Sequence, residues 1–566
     1  MAMSYLKAAS RVLLAGTALL GASATIAAEE PTYGGKLEII NYYPTLNALT
    51  WDPADFVWKM NNDAGHIYES LIAGDLSKAQ SRGGKFNFEP DAWLPAEAQR
   101  GEIAESWEVK DDPLRVEIKL REGIKFPAKP GVMEARELTA EDVVYSLNRQ
   151  RESKRAVPNF YDFLDRIEAT GPHQVTVFMK HYNSEWDYRL GFGYYTQIYP
   201  KEVVDKGIND WRNANGSGPF KLANYTQGNF ATYERNADYW DKTTIDGKEY
   251  QLPFIDGFTY RTVKDESTQL SLLRTGRVDI MELIRWNAVD ELKKSAPDLQ
   301  WRRALMHTGY LLALRNDTKP FDDVRVRRAM NMAVNKQEII DALWAGNGEM
   351  LGFPLHPDYL GIYEPLKDMP AEVQAVFKYD PDEAKKLLAE AGYPKGFKFQ
   401  AQVCACNAAH MELMPLLTAY YEQIGVTMEI VPMEYAAFFG AMNAKNHAAG
   451  YMMSKGHSNP TTALRNSYTP GDPWNPAMYD NPEFNEGLQA AFRERDPEKQ
   501  AELLRELTRL GLGDAPYVYL PTPYIYRAWW PWVKNYDGEA RAGAVKPGPI
   551  YSRIWIDQDL KKKMGY

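Results

Sequence analysis

Thr139-Ala-Glu-Asp-Val-Val-Tyr-Ser-Leu-Asn148 follows Ile118-Lys-Leu-Arg-Glu-Gly-Ile-Lys-Phe126 in the chain, and these two segments decide the fold. The earlier segment alternates apolar and charged residues, as a half-buried strand does, until Gly123 introduces a turn. In the later segment a threonine takes the N-cap position, and Glu141 and Asp142 place negative charge in the first helical turn. Its apolar residues then recur at helical spacing. The two segments therefore predict a strand, a turn and a capped helix.

Strand-like and helical patterns alternate along the whole chain, without an internal repeat, a low-complexity tract or a long flexible linker. The clearest helix lies in Asp380-Pro-Asp-Glu-Ala-Lys-Lys-Leu-Leu-Ala-Glu-Ala-Gly392, with Asp380 as its N-cap and Gly392 as its stop. Asp322 is predicted to cap another helix. Alternation of this kind predicts an α/β fold with mixed sheets.

The first 28 residues have the pattern of a cleaved secretory signal. Lys7 and Arg11 form a positive start, Val12–Leu20 is an apolar stretch, and Ile26-Ala-Ala28 offers small residues before Glu29. The apolar stretch is shorter than the roughly 20 residues that a membrane span needs. We therefore expect a soluble, exported protein that lies in the periplasm after residues 1–28 are removed.

Composition excludes several classes of protein. The chain has 76 acidic and 66 basic residues, a net charge of −10, which argues against nucleic acid as a partner. The only cysteines are Cys404 and Cys406, too few for a structural zinc site. They can be reduced thiols or a strained pair, and the sequence leaves both open. The sequence predicts neither a metal nor a cofactor.

Several further segments share one resemblance with the two that decide the fold. In chain order they are Gly216-Ser-Gly-Pro-Phe-Lys-Leu222, Arg235-Asn-Ala-Asp-Tyr-Trp240, Gln269-Leu-Ser-Leu-Leu-Arg-Thr-Gly-Arg-Val-Asp-Ile280, Lys319-Pro-Phe-Asp-Asp-Val-Arg-Val-Arg-Arg-Ala329 and Tyr420-Tyr-Glu-Gln-Ile-Gly-Val426. Together they resemble family 5 of the extracellular solute-binding proteins of ABC importers, the oligopeptide-, dipeptide- and nickel-binding class. Each match alone is weak, and the ordered set is strong.

The resemblance implies a bilobed periplasmic binding protein of the cluster C type, with mixed sheets and a two-strand hinge. Lobe I is expected at 29–73, 200–307 and 520–566, with an extra domain inserted at 74–199. Lobe II is expected at 308–519. The hinge strands are expected near Gly309–Arg315 and Tyr517–Pro521. The implied partners are a small or short-oligomer solute and an inner-membrane permease with its ATPases, and we expect a monomer.

The resemblance also points to a ligand site in Ala448-Ala-Gly-Tyr-Met-Met-Ser-Lys-Gly-His-Ser-Asn-Pro460. Peptide-binding relatives have a tryptophan and, three residues later, an aspartate that pairs with the ligand's amino group. Here these positions are Tyr451 and Ser454, followed by Lys455 and His457. A hydroxyl beside a cation does not hold an ammonium group as a carboxylate does, so a ligand with an anionic or hydroxyl-rich end is favoured, unless Lys455 points to solvent.

Other expected ligand contacts come from family position alone. Tyr517 and Tyr519 border the second hinge strand, Trp51 ends the loop 47–51, and Asn407 follows the two cysteines. The identity of the solute is left open between a peptide, an opine, an oligosaccharide and an aromatic acid.

Two other function classes compete with solute transport. An exported hydrolase such as a glycosidase needs paired carboxylates, whose spacing no sequence shows. The chain has neither a Gly-x-Ser-x-Gly nor a His-Glu-x-x-His motif, and its eight histidines are scattered. A binding receptor that feeds a sensor is the third class. We expect a non-enzymatic binding protein.

Overall fold

In the computed structural model, residues 30–40, 43, 48–89, 93–157, 159–456 and 459–566 are described. The predicted signal segment 1–28 and His457 lie outside these residues. Within them, no helix is both long and apolar enough to pass through a bilayer.

Two helix predictions are confirmed and a third needs correction. The helix Ala140–Arg151 begins directly after Thr139, whose backbone N–H donates to the Asp142 carboxylate at 2.9 Å. Pro381–Glu390 begins after Asp380, whose carboxylate accepts a hydrogen bond from the Glu383 backbone N–H at 3.1 Å. The predicted cap Asp322 is one residue too early, because the carboxylate that accepts from the first turn belongs to Asp323. Cap chemistry is local, which is why such errors are small.

The helices of the described residues are short and spread along the whole chain. The α-helices are Met60–Ala64, Ala140–Arg151, Lys201–Lys206, Glu266–Arg274, Trp286–Ser295, Val324–Met332, Lys336–Glu338, Ala371–Phe377, Pro381–Glu390, Ala408–Glu422, Tyr435–Asn443, Pro460–Tyr468, Pro482–Arg493, Pro497–Asp514, Gly548–Tyr551 and Gln558–Lys563, and π-helical turns span Tyr188–Phe192 and Ile339–Leu343.

Three larger sheets organise these helices, and they are mixed or antiparallel. The first has the order Phe220–Thr226, Phe230–Arg235, Gly257–Arg261, Lys36–Ile40, Ile280–Ile284, Thr522–Trp529 and Gln300–Leu305, with Gly348–Glu349 paired to Thr522–Trp529. The second has the order Thr427–Met433, Lys398–Cys404, Gly450–Gly456, Thr308–Leu314 and Tyr517–Tyr519. The third, fully antiparallel, has the order Ala104–Asp111, Leu114–Leu120, Gln174–Met179 and Leu164–Gly171.

Short two-stranded ribbons complete the described strands. They pair Ile72–Gly74 with Gln99–Gly101, Lys125–Phe126 with Arg136–Glu137, Lys242–Ile245 with Lys248–Gln251, and Val533–Lys534 with Trp555–Ile556.

The second sheet is buried on both faces. Successive side chains of a strand point to opposite faces, so Leu312 and Leu314 pack into one apolar core while Leu311 and Ala313 pack into another. This double burial explains why the strand Thr308–Leu314 is almost entirely apolar. The second sheet is therefore the centre of its own lobe.

Two extended segments carry the chain between the lobes. Gln300–Leu305 in the first sheet continues into Thr308–Leu314 in the second. Tyr517–Tyr519 returns the chain from the second sheet to Thr522–Trp529. The first crossover therefore lies just before the expected segment Gly309–Arg315, most of which is strand inside the second lobe.

The strands also support the division that the sequence suggested, which we retain as a proposal. Apart from the short Gly348–Glu349, every strand of the first sheet lies in 29–73, 200–307 or 520–566. The second sheet lies in 308–519 and the third in 74–199. In this division, lobe I carries the inserted domain and lobe II contains the doubly buried sheet.

Candidate ligand-binding site

A cavity of about 540 Å³ lies between the proposed lobes. Its wall is largely aromatic. From lobe I with its inserted domain come Tyr43, Trp58, Phe160, Tyr188, Tyr194, Tyr195, Trp286 and Tyr524, and from lobe II come Tyr310, Trp344, Tyr435, Phe438, Phe439 and Trp474. Flat apolar faces with polar edges suit the rings, aliphatic groups and polar atoms of a small organic solute.

Contacts between the lobes border this cavity. Arg285 of lobe I donates to Glu412 of lobe II at 2.9 Å and to Glu266 of its own lobe at 2.9 Å. Both glutamates line the cavity, as does Arg285. The hydrogen bonds that Arg285 donates to Glu266, with those that it donates to Glu412, raise the pKa of the guanidinium. Arg285 therefore joins the lobes at the cavity edge.

A second, fully buried contact joins the inserted domain to lobe II. The Glu185 carboxylate accepts hydrogen bonds from the hydroxyls of Thr461 and Thr462, each at 2.6 Å. Arg189 pairs with the same carboxylate at 2.7 Å. Burial raises the pKa of Glu185, but its arginine and hydroxyl partners outweigh burial and leave that pKa below its ordinary value. The buried carboxylate is thus charged and fully partnered in this closed arrangement.

The strand Gly450–Gly456 brings two of the predicted residues to the cavity, on opposite faces. Ser454 faces the helix Ala408–Glu422, where its Oγ lies 2.8 Å from Nε2 of His410. Burial lowers the pKa of His410 to about 3, so this imidazole is neutral at pH 7. The pair offers a neutral polar patch in the cavity wall.

Lys455 also lines the cavity, but its ammonium group is already engaged. Its Nζ donates to the Asn466 carbonyl at 2.6 Å and to the Ser467 hydroxyl at 2.9 Å. The residue is 4% exposed, and burial lowers its pKa well below the ordinary value. The alternative in which Lys455 points to solvent is therefore wrong, and its role in the structure is to tie the strand to the helix Pro460–Tyr468.

Asn407 lies in the wall together with the two cysteines. Cys404 and Cys406 form a disulfide, which answers the question that the sequence left open. The Asn407 side chain caps the next helix by accepting a hydrogen bond from the backbone N–H of His410 at 3.1 Å. This cap orients the helix that carries both His410 and Glu412.

The structure places the predicted aromatic residues away from the cavity wall. Tyr451 stacks on Phe438 at 4.1 Å and donates to its carbonyl, inside the core of lobe II. Phe438, its stacking partner, lies in the cavity wall, whereas Tyr451 does not. Tyr517 and Tyr519 are buried in the same core.

Trp51 is also buried, with its ring edge-on to Tyr225 at 5.3 Å. It packs into the core of lobe I and is not part of the cavity wall. Its place in the sequence beside a predicted loop did not reveal this burial. The nearby Trp58 supplies the cavity face instead.

The sequence patterns did not single out the charged residues Arg285, Glu412 and Arg465 of the wall. One signal was available for Arg465, because it is the only charged residue in the helix Pro460–Tyr468. A single charge in an otherwise neutral, largely buried helix requires a specific partner. Arg285 and Glu412 carry no comparable local signal, because their pairing spans 127 positions of the chain.

The model of the bacterial extracellular solute-binding proteins, family 5, matches residues 99–475, more than half of the chain. The chain belongs to this family. The cavity between its lobes is therefore the candidate solute site of a family 5 solute-binding protein. Among the described residues, no cluster of histidine, cysteine, aspartate or glutamate suited to a metal ion is found.

Relatives with known names share most of the length of this family 5 chain. The heme-binding protein A of Haemophilus influenzae is 27% identical over 462 residues, covering 77% of this chain and 81% of the relative. The glutathione-binding protein GsiB of Salmonella typhimurium is 25% identical over 435 residues, covering 74% and 79%. Their different names leave the solute of this chain undetermined.

Solved structures confirm the bilobed fold. The periplasmic binding protein DppA of Helicobacter pylori, in complex with the peptide STSA, superimposes with a TM-score of 0.75 and 22% identity, covering 93% of this chain and 99% of that one. The binding protein AgaA in complex with agropinic acid, from A.tumefacien R10, has a TM-score of 0.74 and 21% identity, covering 92% and 99%. At these identities the likeness concerns the fold alone.

Proposed function

We propose that this chain is the periplasmic solute-binding component of an ABC importer. It captures a peptide-like or oligosaccharide-like solute between its lobes and delivers it to a membrane permease. One observation carries the proposal: the aromatic cavity of about 540 Å³ is walled by both lobes and bordered by contacts between them. A solute that touches both lobes favours the closed form to the extent that these contacts are lost on opening.

The proposal has no catalytic step. One of the two histidines of the wall, His410, is neutral and bonded to Ser454, and the acids Glu266 and Glu412 share Arg285. Two carboxylates held by one arginine are poor general acids, because the guanidinium favours their charged forms. The matched family consists of solute-binding proteins, which supports the same conclusion.

Ser454 and His410 form a polar part of the cavity wall. We expect that the solute is not held there through a free amine. A neutral hydroxyl and a neutral imidazole accept and donate hydrogen bonds without balancing an ammonium charge. The Ser454→Asp variant introduces a carboxylate beside neutral partners. It is expected to weaken a neutral or anionic solute and to favour a cationic amine, whereas Ser454→Ala removes the hydroxyl without adding charge and serves as the control.

A thermal-shift screen tests the function itself. The panel contains short peptides, glutathione, haem, agropinic and mannopinic acids, oligosaccharides and aromatic acids. A solute present at 100 times its Kd is expected to stabilise the folded protein by about 2.7 kcal/mol. Small-angle scattering then follows the radius of gyration, and mass spectrometry follows the solute.

The expected result is stabilisation and compaction by one chemical class, with the solute recovered unchanged. Stabilisation by no member of the panel, or conversion of the bound solute into a product, would contradict the proposal. Binding without compaction would contradict the closure mechanism.

A further inference from the structure

Arg465 stands in the cavity wall with only part of its guanidinium engaged. Its Nη1 pairs with Asp472 at 2.6 Å, and the side chain is 14% exposed. Its Nε is buried and has no hydrogen-bond partner among the described residues. The guanidinium lies 5.6 Å from the ring centre of Phe160, another residue of the wall.

The side of the guanidinium that faces away from Asp472 can bind a carboxylate. Pairing through Nη1 leaves the N–H groups of Nε and Nη2, which form a planar fork matched to the two oxygens of a carboxylate. A buried donor of a charged group without an acceptor costs more free energy than an ordinary hydrogen bond returns. An oxyanion on this side supplies the missing acceptor.

The charges around Arg465 also favour an anion. The two nearby carboxylates are already paired, Glu185 with Arg189 and Asp472 with Arg465 itself. Lys455 and Lys445 lie beside this group, and both donate to backbone carbonyls or a hydroxyl rather than to an acid. Of the two, Lys455 lines the cavity, and burial lowers the pKa of both lysines, so the fixed positive charge at this part of the wall is the Arg465 guanidinium. Cations held away from water are stabilised by a nearby anion.

Neighbouring backbone brings these groups to one place. Thr308, whose buried hydroxyl has no partner among the described residues, lies opposite Gly456 in the paired strands. Lys455 connects that strand to Asn466, the residue after Arg465. Thr308, Lys455 and Arg465 all line the cavity. This part of the cavity wall therefore holds a hydroxyl and an arginine edge that have no hydrogen-bond partner among the described residues.

We propose that this end is a carboxylate subsite, with Arg465 as the anchoring residue and Lys455 as a positioning residue that holds the arginine's helix. The inference rests on the function proposed above and adds the chemical class of the solute: an organic acid, with the carboxylate at the Arg465 end and the remainder among the aromatic rings.

The first test needs no variant. Calorimetric titration compares the peptide Ser-Thr-Ser-Ala with its C-terminal amide, glutathione with its diethyl ester, and agropinic and mannopinic acids with neutral oligosaccharides. The wild-type protein is expected to bind the acid of at least one pair about 10- to 100-fold more tightly than the neutral form, the effect of a hydrogen-bonded charge.

The second test assigns that preference to Arg465. Arg465→Met is expected to lose most of the 10- to 100-fold preference while changing the affinity for the neutral form less than about threefold. Arg465→Lys keeps the charge, lacks the planar fork and is expected to retain part of the preference. Arg509→Met is the control, because Arg509 is another arginine of lobe II paired to a carboxylate, Glu364, and it lies away from the cavity with a side chain that is 35% exposed.

Each remaining outcome is decisive. Equal binding of acids and neutral forms by the wild type overturns the subsite and leaves the proposed transport function standing. Equal weakening of both forms by Arg465→Met, or no change, assigns the residue a purely structural role and overturns the anchor. Failure of every compound to bind overturns the proposed function, and the subsite with it.

Discussion

Replacing Thr461 by valine removes one hydrogen bond that closes the lobes and leaves the cavity wall untouched. The Thr461 hydroxyl donates to Glu185 at 2.6 Å across the interface between lobe II and the inserted domain. Thr461 is not part of the cavity wall, unlike its neighbour Thr462. Glu185 keeps Arg189 as its ionic partner in the variant. The change therefore acts on closure without exposing an unpaired buried charge.

The size of the effect follows from the kind of bond lost. A hydrogen bond to a charged group contributes about 1.5 to 3 kcal/mol. If the bond exists only in the closed form, the ratio of closed to open protein falls by about 10- to 150-fold. The apparent Kd of a solute that binds the closed form rises by the same factor when the free protein is mostly open.

Titration calorimetry with a solute identified by the screen, together with small-angle scattering of free and bound protein, measures this effect. Thr508→Val is the matched control, because the buried Thr508 hydroxyl donates to the Leu504 carbonyl within its own helix at 2.7 Å. We expect the control to change the Kd by less than about threefold, since its bond is the same in open and closed protein. Equal Kd values for the two variants would refute the reasoning and show that the Glu185 contact persists on opening.

Three further predictions concern export, the second interlobe contact and pH. The exported protein is expected to lack residues 1–28, and an intact mass that retains them, or carries a lipid, would contradict the signal prediction. Glu412→Gln is expected to raise the Kd of the solute only about 1.4- to 5-fold in calorimetry, because its pair with Arg285 is half-exposed and such pairs contribute about 0.2 to 1 kcal/mol; a loss above tenfold would assign Glu412 a direct ligand contact. Burial lowers the pKa of His410 to about 3 in the folded protein, whereas its pKa in the unfolded chain is about 6.5. Below about pH 6.5 the unfolded chain therefore binds a proton that the folded protein does not, and the free energy of unfolding falls as the pH drops from 7 to 5. Between pH 7 and pH 5, the free energy of unfolding of His410→Gln is therefore expected to fall by about 2 kcal/mol less than that of the wild type, as measured by urea denaturation. Equal decreases in the two proteins would show that His410 titrates normally.

The parts of the fold that depend on near neighbours could be read from the sequence. Thr139 and Asp142 start one helix, and Asp380 starts another, through bonds that reach no more than three residues along the chain. The alternation of strands and helices and the order of the family motifs likewise need no knowledge of distant contacts. These local and ordered features were sufficient to predict the α/β class and the bilobed family.

The composition of the ligand site depended on the tertiary structure. Tyr451 and Ser454 lie on one strand, yet only Ser454 reaches the cavity, because the depth of the strand within its lobe decides which residues are core and which are wall. Arg285 meets Glu412 across 127 positions, and Glu185 meets Thr461 across 276. Local sequence patterns set which residues form a helix or a strand, whereas contacts between distant segments exist only after the lobes have packed. The sequence by itself therefore determined the fold class and the family, and the packing of the lobes decided which side chains a solute can meet.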